Sequence, residues 1–302
     1  MKRHGETLHE RLHRSSTGKT SGPGFGGLLR SLFSRIPWGE MLSEEETLVV
    51  PASSGHAISV RNANGKTRVI GEEREDIEIR VTKSVRADCP DAAAKLLDSI
   101  QLQNSASNEV LEIEVQMPRR CSRHGLANLE LRVPNDTTLS LSSTNGKISL
   151  EGLDRDVRAR SSNGSVSICE VKGDIDVTTA NAKVTCRSTH GHLRARSSNG
   201  KIEVGGHHGS VDASTSNGVI KASIESLSSI GVSLTTSNGR IALELPDQPD
   251  VDIDIRVENG LIRNDLEIEE QTTDSTGRVR GRVGKGGTPI KLRTSNGTVS
   301  LR

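Results

Sequence analysis

Apolar and polar residues alternate along most of the chain in short runs, and each run starts at a fixed distance after a repeated Asn-Gly pair. The asparagines of the eight copies are Asn145, Asn163, Asn181, Asn199, Asn217, Asn238, Asn259 and Asn296. The early copies therefore recur at one constant interval, two later copies at a slightly longer one, and the last after a much longer gap. Glycine comes next in every copy except the third, which has Ala182. Copies at such regular periods predict a stacked repeat.

Each copy contains two apolar runs in which the step is two residues. In the copy that starts at Asn145, the first run holds Ile148 and Leu150, and the second holds Val157 and Ala159. The equivalent positions of the following copies are mostly aliphatic or small. A step of two is the period of a β-strand, so each copy predicts two short strands joined by a turn.

The position thirteen residues after each asparagine distinguishes an antiparallel meander from a parallel β-helix with one copy per coil. In four successive copies it reads Arg158, Asp176, Arg194 and Asp212. In a parallel stack these side chains lie about 4.8 Å apart, and opposite charges at that distance attract. Stacked asparagines can also form a hydrogen-bonded ladder. The pattern favours the parallel β-helix, with Val299 and Leu301 starting a last coil whose edge is left uncapped.

The hydrophobic pattern divides the chain into three segments. We expect residues 1–44 to form a basic, largely disordered tail. Residues 45–135 show strand-like alternation and predict a β-rich section with one short helix near 90–100, a stretch with an early proline. Residues 136–302 hold the repeat, with an insertion near 263–288.

An amphipathic helix is predicted within the tail, over residues 25–36, because its apolar residues recur at helical spacing. The apolar residues of this stretch, together with the following tryptophan, are Phe25, Leu28, Leu29, Leu32, Phe33, Ile36 and Trp38. Three roles remain open for them: capping the end of the solenoid, anchoring the chain at a membrane interface, or contacting a partner protein.

Composition narrows the possible functions. Lys and Arg total 40 against 39 Asp and Glu, so the chain has no net field that would attract nucleic acid. It has no tyrosine, and its three aromatic residues all lie at or before Trp38, so bases cannot stack on the repeat. We therefore expect no nucleic-acid partner. Neither a secretory signal nor a transmembrane segment is evident, which is more consistent with a cytoplasmic or peripheral membrane location.

The best candidate for metal chemistry is a group of four histidines. Its members are His190, His192, His207 and His208, and the first and last of them occupy equivalent positions of adjacent copies. Imidazoles that close could bind zinc or a similar ion, although polar residues at a solvated turn need no such role. Carboxylate pairs suited to hydrolysis are not evident, and we expect neither a cofactor nor an enzyme activity.

The recurring pattern S-x-N-G-x-[IV]-x-[LV], the entry segment Leu131–Leu153 and the closing IKLRTSNGTVSL resemble the bacterial putative-adhesin domain family of unknown function. That family is similar to the β-solenoid head domains of autotransporter adhesins. The resemblance covers roughly residues 45–302. It implies a place at the cell envelope, and it implies no catalytic residues.

Together these features predict an all-β protein, a right-handed parallel β-helix (solenoid) with coils of about 18–21 residues. We expect a non-catalytic, adhesin-like binding or scaffold module for an unknown protein, polysaccharide or membrane surface. A second hypothesis is a cytoplasmic structural or regulatory solenoid that self-associates end to end. A polysaccharide-acting or metal-dependent enzyme is a third.

Overall fold

The computed structural model describes residues 29–33, 40–52, 57–107, 110–119, 121, 125–274 and 277–302. Within them the protein is all-β, with a single short helix. The first strands are β1 (Leu29–Phe33), β2 (Glu40–Pro51), β3 (Ala57–Asn64), β4 (Thr67–Glu72) and β5 (Asp76–Ala87). Helix α1 (Pro90–Asp98) follows, and then β6 (Gln101–Ser107), β7 (Val110–Gln116) and β8 (Gly125–Pro134).

The repeat supplies the remaining strands. Its short strands are β9 (Thr138–Asn145), β10 (Ile148–Leu153), β11 (Val157–Ser161), β12 (Val166–Val171) and β13 (Ile175–Thr179). Longer strands follow: β14 (Val184–Ser197), β15 (Ile202–Asn217) and β16 (Ile220–Asn238), with the short β17 (Ile241–Glu244) and the long β18 (Val251–Asn264) after them. The last are β19 (Glu269–Thr273), β20 (Arg278–Val283) and β21 (Thr288–Leu301).

The strands line up in two rows, which we call sheet A and sheet B. Sheet A has the order β6-β7-β3-β9-β11-β13-β14-β15-β16-β21-β18-β20-β19. Sheet B has the order β1-β2-β5-β8-β4-β10-β12-β14-β15-β16-β17-β21-β18. Because the long strands enter both rows, hydrogen bonds join all of them into one open sheet.

Pairing in the middle of both sheets is parallel and in register between equivalent positions of successive copies. Val157 lies beside Ile175, and Ile175 lies beside Leu193, so each residue pairs with its own equivalent in the next copy. Arg158 pairs with Asp176 and Arg194 with Asp212, with nitrogen-to-oxygen distances of 3.7 and 3.6 Å. The predicted contact between opposite charges of neighbouring copies is therefore confirmed.

The repeated asparagines form a continuous ladder of side-chain amides. Asn163 donates to Asn145 at 2.9 Å, Asn181 to Asn163 at 3.0 Å, and Asn199 to Asn181 at 3.0 Å. The copy that has Ala182 in place of glycine keeps its ladder bonds, so the asparagine amide is the feature that all copies share. The ladder also reaches back to Asn64, which accepts from Asn145 at 2.9 Å.

The order of the last copies differs from the order in the sequence. Asn296 donates to Asn238, and Asn259 donates to Asn296, so β21 lies between β16 and β18 in the stack. The expectation that the chain ends in an uncapped coil at Leu301 is wrong. The segment between β18 and β21, which carries β19 and β20, returns the chain to the inner position. The outermost parallel strand is β18, and β20 covers its first half in antiparallel pairing.

Aliphatic side chains fill the space between the two sheets, and no aromatic residue belongs to this core in the part of the chain described. Ile148, Val166, Val184 and Ile202 stack above one another with at most 1% of their surface exposed. Helix α1 closes the core near β2 and β5 through Ala93 and Leu97. It is the short helix predicted near 90–100.

The prediction of an amphipathic helix over residues 25–36 is wrong at its centre. Residues Leu29–Phe33 form β1, which pairs antiparallel with Ser43–Thr47 of β2. The edge of β2 offers the backbone of this segment a row of hydrogen-bonding partners, and this tertiary pairing overrides the helical spacing. The other residues of the predicted helix lie outside the described ranges.

We expect the position of an asparagine in the ladder to set its contribution to stability. Asn181 makes two ladder bonds, whereas Asn259 at the end of the ladder makes one. Asn181→Ala should lower the free energy of unfolding by about 1–2 kcal/mol, and Asn259→Ala by about half as much, because each lost bond costs roughly the same. Urea denaturation measures both. Equal losses would contradict the ladder.

Candidate functional site

The four candidate histidines lie where β14 and β15 run side by side at one corner of the stack. His190 pairs in register with His208, and their rings stack with 4.5 Å between centroids and 13° between planes. The ring of His208 also hydrogen-bonds Ser226 through Nδ1 at 3.0 Å and contacts the Glu225 carboxylate through Nε2 at 3.0 Å. This arrangement directs one ring face, and not a nitrogen lone pair, at the neighbouring imidazole.

His207 points into the protein and is fully buried. Its Nε2 lies 3.1 Å from the Ser210 carbonyl oxygen, which can only accept, so Nε2 carries the proton. Its Nδ1 therefore accepts from the Thr189 hydroxyl at 2.9 Å. The pKa of His207 is lowered to about 4, mainly by burial and to a smaller extent by the neighbouring His190 and His208. Because both ring nitrogens are engaged, His207 is a neutral structural residue.

His192 belongs to a column of polar side chains that link successive copies. Its ring hydrogen-bonds the Ser210 hydroxyl at 2.7 Å, and its backbone N–H donates to the Asp174 carboxylate at 3.2 Å. The backbone N–H of Asp174 donates in the same way to Asp156 at 2.9 Å. Among the residues that the structure describes, no three or more His, Cys, Asp or Glu side chains are grouped to hold a metal ion. The hypothesis of a zinc-like site at these histidines gains no support.

The apolar contact residues proposed near the N-terminus fall into two groups. Leu29, Leu32 and Phe33 lie in β1, at the outer edge of sheet B. Phe25, Leu28, Ile36 and Trp38 lie outside the described ranges. The proposal of a membrane or partner contact at these seven positions stays a prediction.

A depression of ≈ 420 Å³ opens on the outward surface of sheet B, near the end of the stack where β18 is outermost. Small residues on neighbouring strands form its floor: Gly205, Ser223, Ala242 and Ser300. A Cβ atom added at Gly205 would meet nothing within 4 Å, which shows that the space above the floor is open. Five cationic side chains line it: Arg187, Lys221, Arg240, Arg263 and Arg302. We call this site the basic depression.

Charges in the basic depression are only partly neutralised. Glu203 lies between Lys183 and Lys201, and hydrogen bonds from these two lysines lower the pKa of Glu203 to about 2. Arg302 pairs with Asp265 at 3.3 Å. Within the described part of the chain, no carboxylate lies within ion-pair distance of the other four cations of the depression. Sheet A differs, because Arg158 and Arg194 on its outward surface are paired with aspartates.

The sequence did not reveal this site because its cations are spread over several positions of the repeat and over several copies. The outward positions four and six residues after each asparagine hold Lys221, Arg187, Arg263 and Arg302. Reading those columns could have identified the cations. The insertion of β21 between β17 and β18 places Arg302 next to β17 and Arg263 one strand further out, and nothing in the repeat spacing predicts that insertion.

We expect His207 to make the protein less stable in mild acid. The folded chain binds a proton at His207 only near pH 4, whereas the unfolded chain binds it near pH 6.5. This contribution is complete above about pH 6.5 and is lost as the pH falls toward 4, up to about 3 kcal/mol in total. In His207→Gln the free energy of unfolding should change less steeply with pH between 4.5 and 7. The difference in slope between the two chains should correspond to at most about one bound proton.

Urea denaturation of the wild type and His207→Gln at several pH values measures the difference. All other titrating groups are common to the two chains, so their effects largely cancel in the comparison. Identical pH slopes would show that His207 is not held neutral by burial.

In the part of the chain that the structure describes, no helix has the length and apolar character needed to cross a membrane.

A search of curated proteins finds no significant match. Solved structures that are similar in fold include two putative adhesins. One is a putative adhesin from Bacteroides fragilis, with a TM-score of 0.50 and 14% identity over 85% of this chain and 97% of the other. The second is a putative adhesin from Parabacteroides merdae, with a TM-score of 0.52 and 12% identity over 85% and 96%.

A family model matches most of the chain. The match runs over residues 56–302, which includes every described strand of the repeat and most of the N-terminal β-rich section. It therefore covers both the asparagine ladder and the basic depression, and the chain belongs to the Toastrack DUF4097 family of unknown function.

Proposed function

We propose that the protein is a non-catalytic, adhesin-like binding or scaffold module whose repeat winds as a right-handed parallel β-solenoid with one copy per coil. A coil length of about 18–21 residues is supported by the part of the ladder from Asn145 to Asn238, whose contacting asparagines differ in residue number by 18 or 21. Right-handedness is supported by the strong preference of crossovers between parallel strands, of which about 98% are right-handed.

The outward surfaces of the stack are the observation that carries this function. Equivalent side chains are repeated from one strand to the next at about 4.8 Å, so that each surface is a regular array of charges and hydroxyl groups. Such extended arrays suit contact with a long or repetitive partner. The two similar structures from Bacteroides and Parabacteroides, both named putative adhesins, are consistent with a role in binding.

An unknown protein, a polysaccharide or a membrane surface could be that partner, and association with the cell envelope fits the adhesin interpretation. Among the residues that the structure describes, the four histidines of the predicted metal site give no support for catalysis, because they are engaged with one another and with neighbouring hydroxyl and carbonyl groups.

Co-sedimentation tests this function. Purified full-length protein is mixed with isolated bacterial envelope material, which is then separated into membrane and polysaccharide fractions. We expect saturable binding to at least one fraction, and a tagged chain in cells should be found with the envelope. A protein that stays in the supernatant with every fraction, and in a purely soluble pool in cells, would contradict the proposal.

Self-association is a second candidate, favoured by an open strand edge. In the described part of the chain, the second half of β18 has no strand on its outer side, and Leu261 within it is 62% exposed. Unpaired edges of this kind template pairing with another chain. Light scattering of the same purified protein decides the matter, since a monomer at every concentration would dismiss this candidate.

A further inference from the structure

We propose that the basic depression binds an acidic polysaccharide, a sugar chain that carries a carboxylate or sulfate on its repeating unit. The inference rests on the proposed binding function and names the ligand class and the site. It is carried by three features of the outward surface of sheet B: its charge, the direction in which the charge extends, and the chemistry of its floor.

The charge is concentrated at this place. The whole chain has a net charge of +1, yet five cationic side chains line this one depression. Of its two lining carboxylates, Glu203 is already neutralised by lysines that lie beside the depression. Arg302 is paired with Asp265, so Glu244 is left to offset four cations. Arginines without carboxylate partners are well suited to bind carboxylate or sulfate groups with two parallel hydrogen bonds.

The cations extend along the stack and do not converge on one point. Arg187 lies on β14, Lys221 on β16, Arg240 just before β17, and Arg263 on β18. From β14 to β18 the order of sheet B gives five strand spacings, a span of about 24 Å. No single small anion could contact all of these side chains, whereas an extended polyanion lying across the strands could.

The floor favours sugars over lipids and nucleic acids. Ser223 and Ser300 offer hydroxyl groups, and Gly205 and Ala242 leave room for a ligand to approach the sheet. A flat lipid surface would not enter a recess, and none of the exposed large apolar side chains lines it. Nucleobases would find no aromatic side chain to stack on, because the sequence has none after Trp38.

The test measures binding of the full-length protein to polygalacturonate, a polymer with one carboxylate on each sugar, with neutral dextran as the comparison. We expect binding to polygalacturonate alone, and loss of binding at about 1 M salt, where the Debye length is about 3 Å. Lys221→Gln/Arg240→Gln should weaken the affinity about tenfold, since each lost cation should raise the dissociation constant by roughly half a power of ten.

Two further variants control for folding and for general charge. Arg160→Gln/Lys291→Gln removes the same two charges from exposed positions on the outward surface of sheet A and should bind within about twofold of the wild type. Gly205→Leu fills the floor without touching any charge and should also weaken binding. Thermal unfolding of each variant reports whether the fold is intact.

Several results would overturn the inference. These are no binding of polygalacturonate by the wild type, an equal loss in the sheet A variant, or tighter binding of single-stranded DNA or of anionic phospholipid vesicles through the same side chains. If the depression variants bind envelope material as the wild type does, this inference fails while the proposed function stands. If the wild type binds neither envelope nor polysaccharide, both fail.

Discussion

Main-chain pairing between residues at equivalent positions of successive copies is the constraint on which the rest of the structure depends. In-register parallel pairing places each side chain directly beside the equivalent side chain of the next copy. Every position of the repeat must therefore hold residues that pack well against their own equivalents. The backbones approach closely at the turns: a Cβ at Gly200 would lie 1.9 Å from the Ala182 carbonyl oxygen, and one at Gly209 would lie 2.1 Å from that of Gly191. Glycine is thus favoured where copies touch, although Ala182 replaces it in one copy, and asparagine links the copies.

Contact between equivalent side chains also explains the composition of the core and of the surfaces. Aliphatic side chains of similar size pack well in vertical columns between two sheets, and the core fills without an aromatic ring. A column of one charge would repel itself, and sheet A avoids this by alternating Arg158, Asp176, Arg194 and Asp212. On sheet B the cations are instead separated by small or polar residues on intervening strands, which leaves an open recess.

Much of the fold could be predicted from the sequence, because register depends on local spacing. The pairing of Arg158 with Asp176 and the asparagine ladder both follow from the constant interval between the early copies. The order of the last strands could not be predicted, since spacing identifies the members of a stack but not their sequence within it. The helix predicted at 25–36 failed at Leu29–Phe33 because the edge of β2 supplies a partner that no local pattern reveals.

The candidate sites, like the fold, could be predicted from the sequence only in part. Sequence spacing placed His190 beside His208, and the structure confirms their adjacency, but the inward direction of His207 depends on the path of the turn. The basic depression escaped sequence reasoning because its cations are spread over different positions and copies of the repeat, and the insertion of β21 sets the places of Arg302 and Arg263. The arrangement of the cations within the site therefore rests on one claim, the order of the strands in the stack.

Disulfide trapping tests that claim most directly. Thr235 pairs with Arg293, whereas Arg256 lies one strand further on, and all three are exposed. In a chain whose Cys89 and Cys169 are replaced by serine, Thr235→Cys/Arg293→Cys should form an intramolecular disulfide, because neighbouring strands are about 4.8 Å apart. Thr235→Cys/Arg256→Cys should not, since two spacings exceed the roughly 7 Å limit. A bridge in the second pair and none in the first would contradict the stack described above.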